Sequence, residues 1–183
     1  MRAFVAVDLD EMNRQSLQLW FQERAKRHPA VRWEKPAQLH VTLHFLGDVK
    51  KSEFQALYTL VSERLAGQNS FDLFPREVQT LGNPTRVLCL GFGLQPRLLE
   101  VADVVRSCSE ECELSTGAKP FFAHLTLGRV RDKQTLTGAE FTEIAASLPD
   151  LQAWTVREVL FKESNLLPGG AAHRIVHRIS LDD

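Results

Sequence analysis

With 183 residues, 44% of them hydrophobic and 25% charged, the chain has the size and balance of one ordinary folded domain, without low-complexity stretches. Its formal net charge of −1 excludes a broad surface for duplex nucleic acid, which needs a basic excess, but leaves room for a pocket around one phosphate. No apolar run approaches the ~20 residues that span a bilayer, and the opening run is too short for a secretory segment. Together with three unclustered cysteines (Cys89, Cys108, Cys112) read as reduced thiols, this points to a cytoplasmic protein without membrane partners.

Phe4 to Val7 read as a buried opening strand. Asp10 then caps a helix through about Lys26, with Met12, Leu17, Trp20 and Phe21 as its apolar positions. His28-Pro29 ends it, because the residue before proline avoids the helical region, and His28 reads as a capping or surface residue. Leu39–Leu46 is a strand by its β-branched and aromatic content, closed by a turn at Gly47-Asp48. Ser52-x-x-Gln55 resembles a capping box and opens a helix whose one face carries Phe54, Leu57, Tyr58, Val61 and Leu65.

Strands over Phe71–Thr80 and Arg86–Phe92 follow, split by the turn Gly82-Asn83-Pro84-Thr85. A helix from about Pro96 places Leu98, Val101, Ala102, Val105 and Cys108 at helical spacing. After Gly117 and Pro120 come a strand over Phe122–Val130, a short helix near Thr137–Leu148, and strands near Leu151–Lys162 and Arg174–Leu181. Short turns between strands imply antiparallel pairing, so the class is α+β rather than a doubly wound parallel sheet.

One pattern occurs twice: Leu39-His40-Val41-Thr42-Leu43 and Ala123-His124-Leu125-Thr126-Leu127. Strand alternation puts His40 and Thr42 on one face and Val41 and Leu43 on the other, and the same holds around His124 and Thr126. Each strand thus buries its aliphatics and offers an imidazole and a hydroxyl opposite. Two such pairs facing across a groove suit phosphoryl transfer, which needs a base on one side of phosphorus and an acid on the other. Imidazole, with an ordinary pKa of about 6.5, serves either role near neutrality, and threonine hydroxyls donate to non-bridging oxygens. A single His-x-Thr in a strand would read as a satisfied core histidine; the repeat reverses that reading.

In these residues the chain resembles the two-histidine phosphoesterase superfamily, in its RNA 2′,3′-cyclic phosphodiesterase branch of 2′-5′ RNA ligase-like proteins. The resemblance extends from Arg2-Ala3-Phe4-Val5-Ala6-Val7-Asp8-Leu9 through the block Leu39–Asp48 and Arg86–Gly91 to Pro120–Arg129 and the tail Glu163–Gly170. It implies a single domain over 1–183 with a bilobal α+β fold: two pseudo-symmetric lobes, antiparallel sheets lining a central cleft, and helices packed outside. It implies no metal and no cofactor, with RNA ends bearing a 2′,3′-cyclic phosphate as substrate and a 2′-phosphate as product. Some members also join RNA ends through a 2′-5′ linkage.

Carried over by position, His40 is the acid and His124 the base, although the near-symmetry of the motifs leaves that polarity open. Thr42 and Thr126 bind phosphate, and Phe45 and Arg129 are candidate substrate contacts. Phe45 and Arg129 stand at odd offsets from their histidines, which puts them on the wrong strand face unless a bulge intervenes; Gly128 would permit one before Arg129. For Phe45 a place in the core is an equal reading. By parity His44 joins His40 in the groove. His173 and His177, with Arg174 and Arg178, read as a solvated basic face.

Two departures from the family pattern are Ala123, where proline is usual, and His173, near a position often held by tyrosine. The competing readings are a phosphodiesterase for a small cyclic nucleotide or an ADP-ribose cyclic phosphate, and a non-catalytic RNA- or nucleotide-binding module. A monomer is the default expectation.

Overall fold

The computed structural model describes residues 1–114, 120–167 and 170–183. The predicted turn at Gly117 and Pro168-Gly169 of the tail lie outside the described residues. In chain order the elements are β1 (Arg2–Asp8), α1 (Glu11–Arg27), β2 (Val31–Trp33), β3 (His40–Asp48), α2 (Lys51–Leu65), β4 (Phe71–Leu73), β5 (Val78–Leu81) and β6 (Val87–Gly91). They continue with α3 (Pro96–Glu111), β7 (His124–Val130), α4 (Gly138–Ala146), β8 (Trp154–Val156), β9 (Glu158–Leu167) and β10 (Gly170–Ser180). Among the described residues, no helix is long and apolar enough to cross a membrane.

The strand pairs are antiparallel, in the order β10-β9-β1-β3-β7-β6-β5, with β2 also on β7. One half of the sheet, β10-β9-β1-β3, meets the other, β7-β6-β5 with β2, at the Cα pair Val41↔Leu125. β4 and β8 form a separate small ladder. This is the α+β class the sequence implied.

On one face Ala3, Val5, Val7, Val41, Leu43, Leu88, Leu90, Leu125 and Leu127 enter a continuous core with Leu57 and Val61 of α2 and Leu98, Val101 and Val105 of α3. Phe4, Ala6 and Cys89 are buried outside that cluster. As Cα partners of Phe45, Thr42 and Thr126 they belong to the opposite face, since cross-strand partners share one. All three cysteines are free, as expected.

Several elements differ from the sequence reading. Pro75 divides Phe71–Thr80 into β4 and β5, which join different sheets, and Leu151–Lys162 divides in the same way into β8 and β9. β2, three residues long, carries too little periodicity to be predicted. α2 starts before Ser52: the Lys50 backbone N–H donates to Glu53 at 2.8 Å, so Glu53 and not Gln55 closes the cap. Gly47 and Asp48 extend β3 rather than ending it. Met12 on α1 is exposed. His28 caps α1 through its backbone N–H to Arg24 O at 2.8 Å, but its side chain is buried beside Glu143, not on the surface.

Candidate active site

The Val41↔Leu125 pair decides the geometry of the repeated motif. Both side chains are wholly buried in the core, so the residues flanking each of them emerge on the opposite face. Antiparallel order puts His40 on the same side of the junction as Thr126, and Thr42 on that of His124. The two histidines are diagonal neighbours across the strands, a relation that in a regular pair gives about 7–8 Å between Cα atoms. His40, Thr42, His124 and Thr126 all line one cleft of about 300 Å³.

The imidazoles are held alike. Nδ1 of His40 lies 2.6 Å from Gln38 O, and Nδ1 of His124 lies 2.8 Å from Phe122 O, in each case the carbonyl two residues upstream. A carbonyl only accepts, so each Nδ1 carries a proton and donates, which leaves Nε2 for proton exchange.

Their surroundings differ. His40 packs against Phe4 (4.9 Å between centroids) and meets His173 edge-on at 5.2 Å. Behind it the buried Lys162 pairs with Asp8, the Cα partner of His40. Burial pushes the His40 imidazole down to about 4; the Gln38 carbonyl opposes this, Lys162 and His173 add to it, and Asp8 opposes it. His173 is lowered as well, by burial first and then by Lys162. His124 instead stacks on the exposed Phe122 at 5.5 Å.

The odd offsets of Phe45 and Arg129 are resolved by the same device in both motifs. In β3, Ala6 pairs with Thr42 and Val5 with His44, so Leu43 is an extra residue; in β7, Cys89 pairs with Thr126 and Leu88 with Gly128, so Leu127 is. Each bulge exchanges the strand faces beyond it. Phe45 and Arg129 therefore both line the cleft. Phe45 is 42% exposed rather than a core aromatic, with the Arg2 guanidinium 5.0 Å above its ring. The bulge sends His44 away from the groove, where its Nε2 lies 3.1 Å from Ser109 Oγ on α3.

A further irregularity between Ile175 and His177 separates the last two histidines. His173 lines the cleft, whereas His177 stacks on Tyr58 of α2 at 4.3 Å. They do not form one solvated face.

Residues 7–89 match the model of a family described as LigT like phosphoesterase. Over 177 residues the chain is 30% identical to an RNA 2′,3′-cyclic phosphodiesterase of Methanothermobacter thermautotrophicus, covering 93% of each protein. The chain belongs to the LigT-like phosphoesterase family. A relative of the same description from Archaeoglobus fulgidus is 30% identical over 181 residues, 95% of this chain and 97% of its own length. The crystal structure of Escherichia coli LigT complexed with 3′-AMP superposes with a TM-score of 0.81 at 27% identity, over 100% of this chain and 98% of that one.

Within this LigT-like cleft several groups escaped the sequence reading. Arg2, Arg32, Glu34, Lys35 and Ser164 also line it. Burial raises the Glu34 carboxyl above its ordinary range, against the pull of Arg129 and Arg32. The run Arg32-Trp33-Glu34-Lys35 was the available signal, three charges around one tryptophan just ahead of the first motif.

Proposed function

We propose that this protein is an RNA 2′,3′-cyclic phosphodiesterase that hydrolyses a terminal cyclic phosphate to a 2′-phosphate, with His40 and His124 as its acid–base pair. The carrying observation is the matched pinning of two imidazoles through Nδ1, each beside a threonine, on either side of one strand junction. The His124 Nε2 takes a proton from water as its oxygen bonds to phosphorus. The P–O3′ bond breaks, and the His40 Nε2–H protonates the departing O3′. The Thr42 and Thr126 hydroxyls donate to the non-bridging oxygens, where charge must be held. Phe45 offers an apolar face to the nucleoside, and Arg129 a guanidinium farther along the cleft.

In the empty cleft His40 is neutral, so in the acid role it acquires its proton together with the substrate.

The test is incubation of purified protein, in EDTA, with an oligoribonucleotide ending in a 2′,3′-cyclic phosphate. A 2′-phosphate terminus is expected, and His40→Ala and His124→Ala each lose about 10²-fold or more. A 3′-phosphate product, a requirement for added metal, or near-full activity in either variant refutes the assignment.

A further inference from the structure

The cleft has a second cationic end. β2 runs antiparallel to β7 with Arg32 directly opposite Arg129, and both side chains line the cleft. Like charges directly opposite one another destabilise a sheet. Glu34 offsets part of that cost: its backbone N–H extends the pairing to Leu127 O at 2.9 Å, and its carboxylate lies 3.7 Å from the Arg129 Nε. With Lys35 the group still holds three cations against one carboxylate, in a chain of net charge −1. Such an excess at the wall of a cleft is a site awaiting an anion.

This end is separate from the two histidines. With Leu127 bulged, Arg129 stands two partner positions from Thr126 (Cys89 to Val87 on β6), about 7 Å at strand rise, a separation that one nucleotide bridges. We propose that Arg32 and Arg129, with Glu34 as their counter-ion in the free protein, bind the phosphodiester on the 5′ side of the terminal nucleotide. The enzyme accordingly favours an RNA strand over a free nucleoside cyclic phosphate. The proposal rests on the phosphodiesterase reading above and adds to it a second phosphate subsite. When the strand enters, its phosphate displaces the Glu34 carboxylate from Arg129.

Three substrates test it: adenosine 2′,3′-cyclic phosphate, the same compound with a 5′-phosphate, and an ApA dinucleotide ending in the cyclic phosphate. The dinucleotide should exceed the first in kcat/KM by about 10-fold or more, the size of one charge-assisted contact. Arg32→Gln should lower kcat/KM for the dinucleotide about 10-fold more than for the mononucleoside, and Glu34→Gln should lower KM for the dinucleotide. Equal kcat/KM for the dinucleotide and the mononucleoside in the wild type, or an equal loss for both in Arg32→Gln, overturns the subsite while leaving the phosphodiesterase reading intact. A 5′-phosphate gaining more than the dinucleotide overturns the strand assignment. Failure to hydrolyse any of the three overturns the phosphodiesterase reading and the subsite with it.

Discussion

Replacing Lys162 with methionine removes a buried cation that holds the proton off His40. Lys162 is 4% exposed and pairs with Asp8, which faces His40 across β1 and β3. Lowering the imidazole from 6.5 to about 4 makes its cation roughly 3 kcal/mol more costly. A phosphate anion about 4 Å away returns roughly 4 kcal/mol at an effective dielectric near 20. The two are comparable, so the substrate's own charge is enough to protonate His40 as it binds. With His40 as acid, kcat/KM, which reports the free enzyme, descends from a limb near pH 4. In Lys162→Met the lowering by Lys162 disappears while the raising pull of Asp8 stays, so the limb moves up from about 4. It remains below 6.5, because burial is the largest cause and is untouched. Steady-state assays from pH 3.5 to 8, with folding checked by circular dichroism at each pH, measure it. A limb that does not move refutes the coupling of Lys162 to His40. A limb that ascends with pH near 4 reverses the polarity and makes His40 the base.

The same depressed imidazole acts on stability. Neutral His40 contributes fully above pH 6.5, and that contribution is lost as pH falls towards about 4, by up to roughly 3 kcal/mol; His40→Gln should flatten this part of the urea-denaturation profile, and parallel wild-type and variant profiles would contradict it. Thr42→Val and Thr126→Val should each lower kcat/KM about 10- to 100-fold, the value of a hydrogen bond to a charged group, and wild-type rates in both would remove the threonines from phosphate binding. A Cβ on Gly128 would stand 2.7 Å from Val31 Cγ1 and 3.1 Å from Arg32 O. Gly128→Ala should therefore push β2 from β7 and cost about 1–3 kcal/mol in a denaturation midpoint, with an unchanged midpoint as the contrary result.

What could be read from the sequence follows how local each determinant is. His40, Thr42, His124 and Thr126 were legible because strand alternation fixes a face within three residues, and the structure puts all four in one cleft. Beyond Leu43 and Leu127 the same rule misleads, because a bulge is settled by the neighbouring strand's register and not by the strand's own residues. That is why parity assigned His44 to the groove and left Phe45 in doubt; the irregularity between Ile175 and His177 likewise separates His173 from His177. A bulge does precede Arg129, with Leu127 as its extra residue, while Gly128 itself makes room for Val31 of β2. Lys162 was illegible, since its effect on His40 depends on β9 lying beside β1, a contact more than 150 residues apart in sequence.

The two motifs are copies in backbone and differ in company. Each has a histidine pinned to the carbonyl two residues upstream, a threonine two residues downstream, and a bulge at the leucine that follows. From equivalent frames, equivalent histidines would compete for one proton with equal claim. The neighbours break the tie: Lys162, Asp8, His173 and Phe4 crowd His40, whereas Phe122 covers His124 at the open side. The positions five residues on break it again, with an aromatic ring at Phe45 and a guanidinium at Arg129. On the proposed reading, a phosphate between the pair meets equal reach from both sides but unequal chemistry, and in-line displacement requires that combination, because attack and departure call for opposite proton transfers. Exchanging the fifth positions, Phe45→Arg with Arg129→Phe, would keep the frame and reverse which end takes the nucleoside, so it should abolish 2′-phosphate formation even with all four His and Thr residues in place. Unaltered product from that double variant would show that the frame alone orients the substrate.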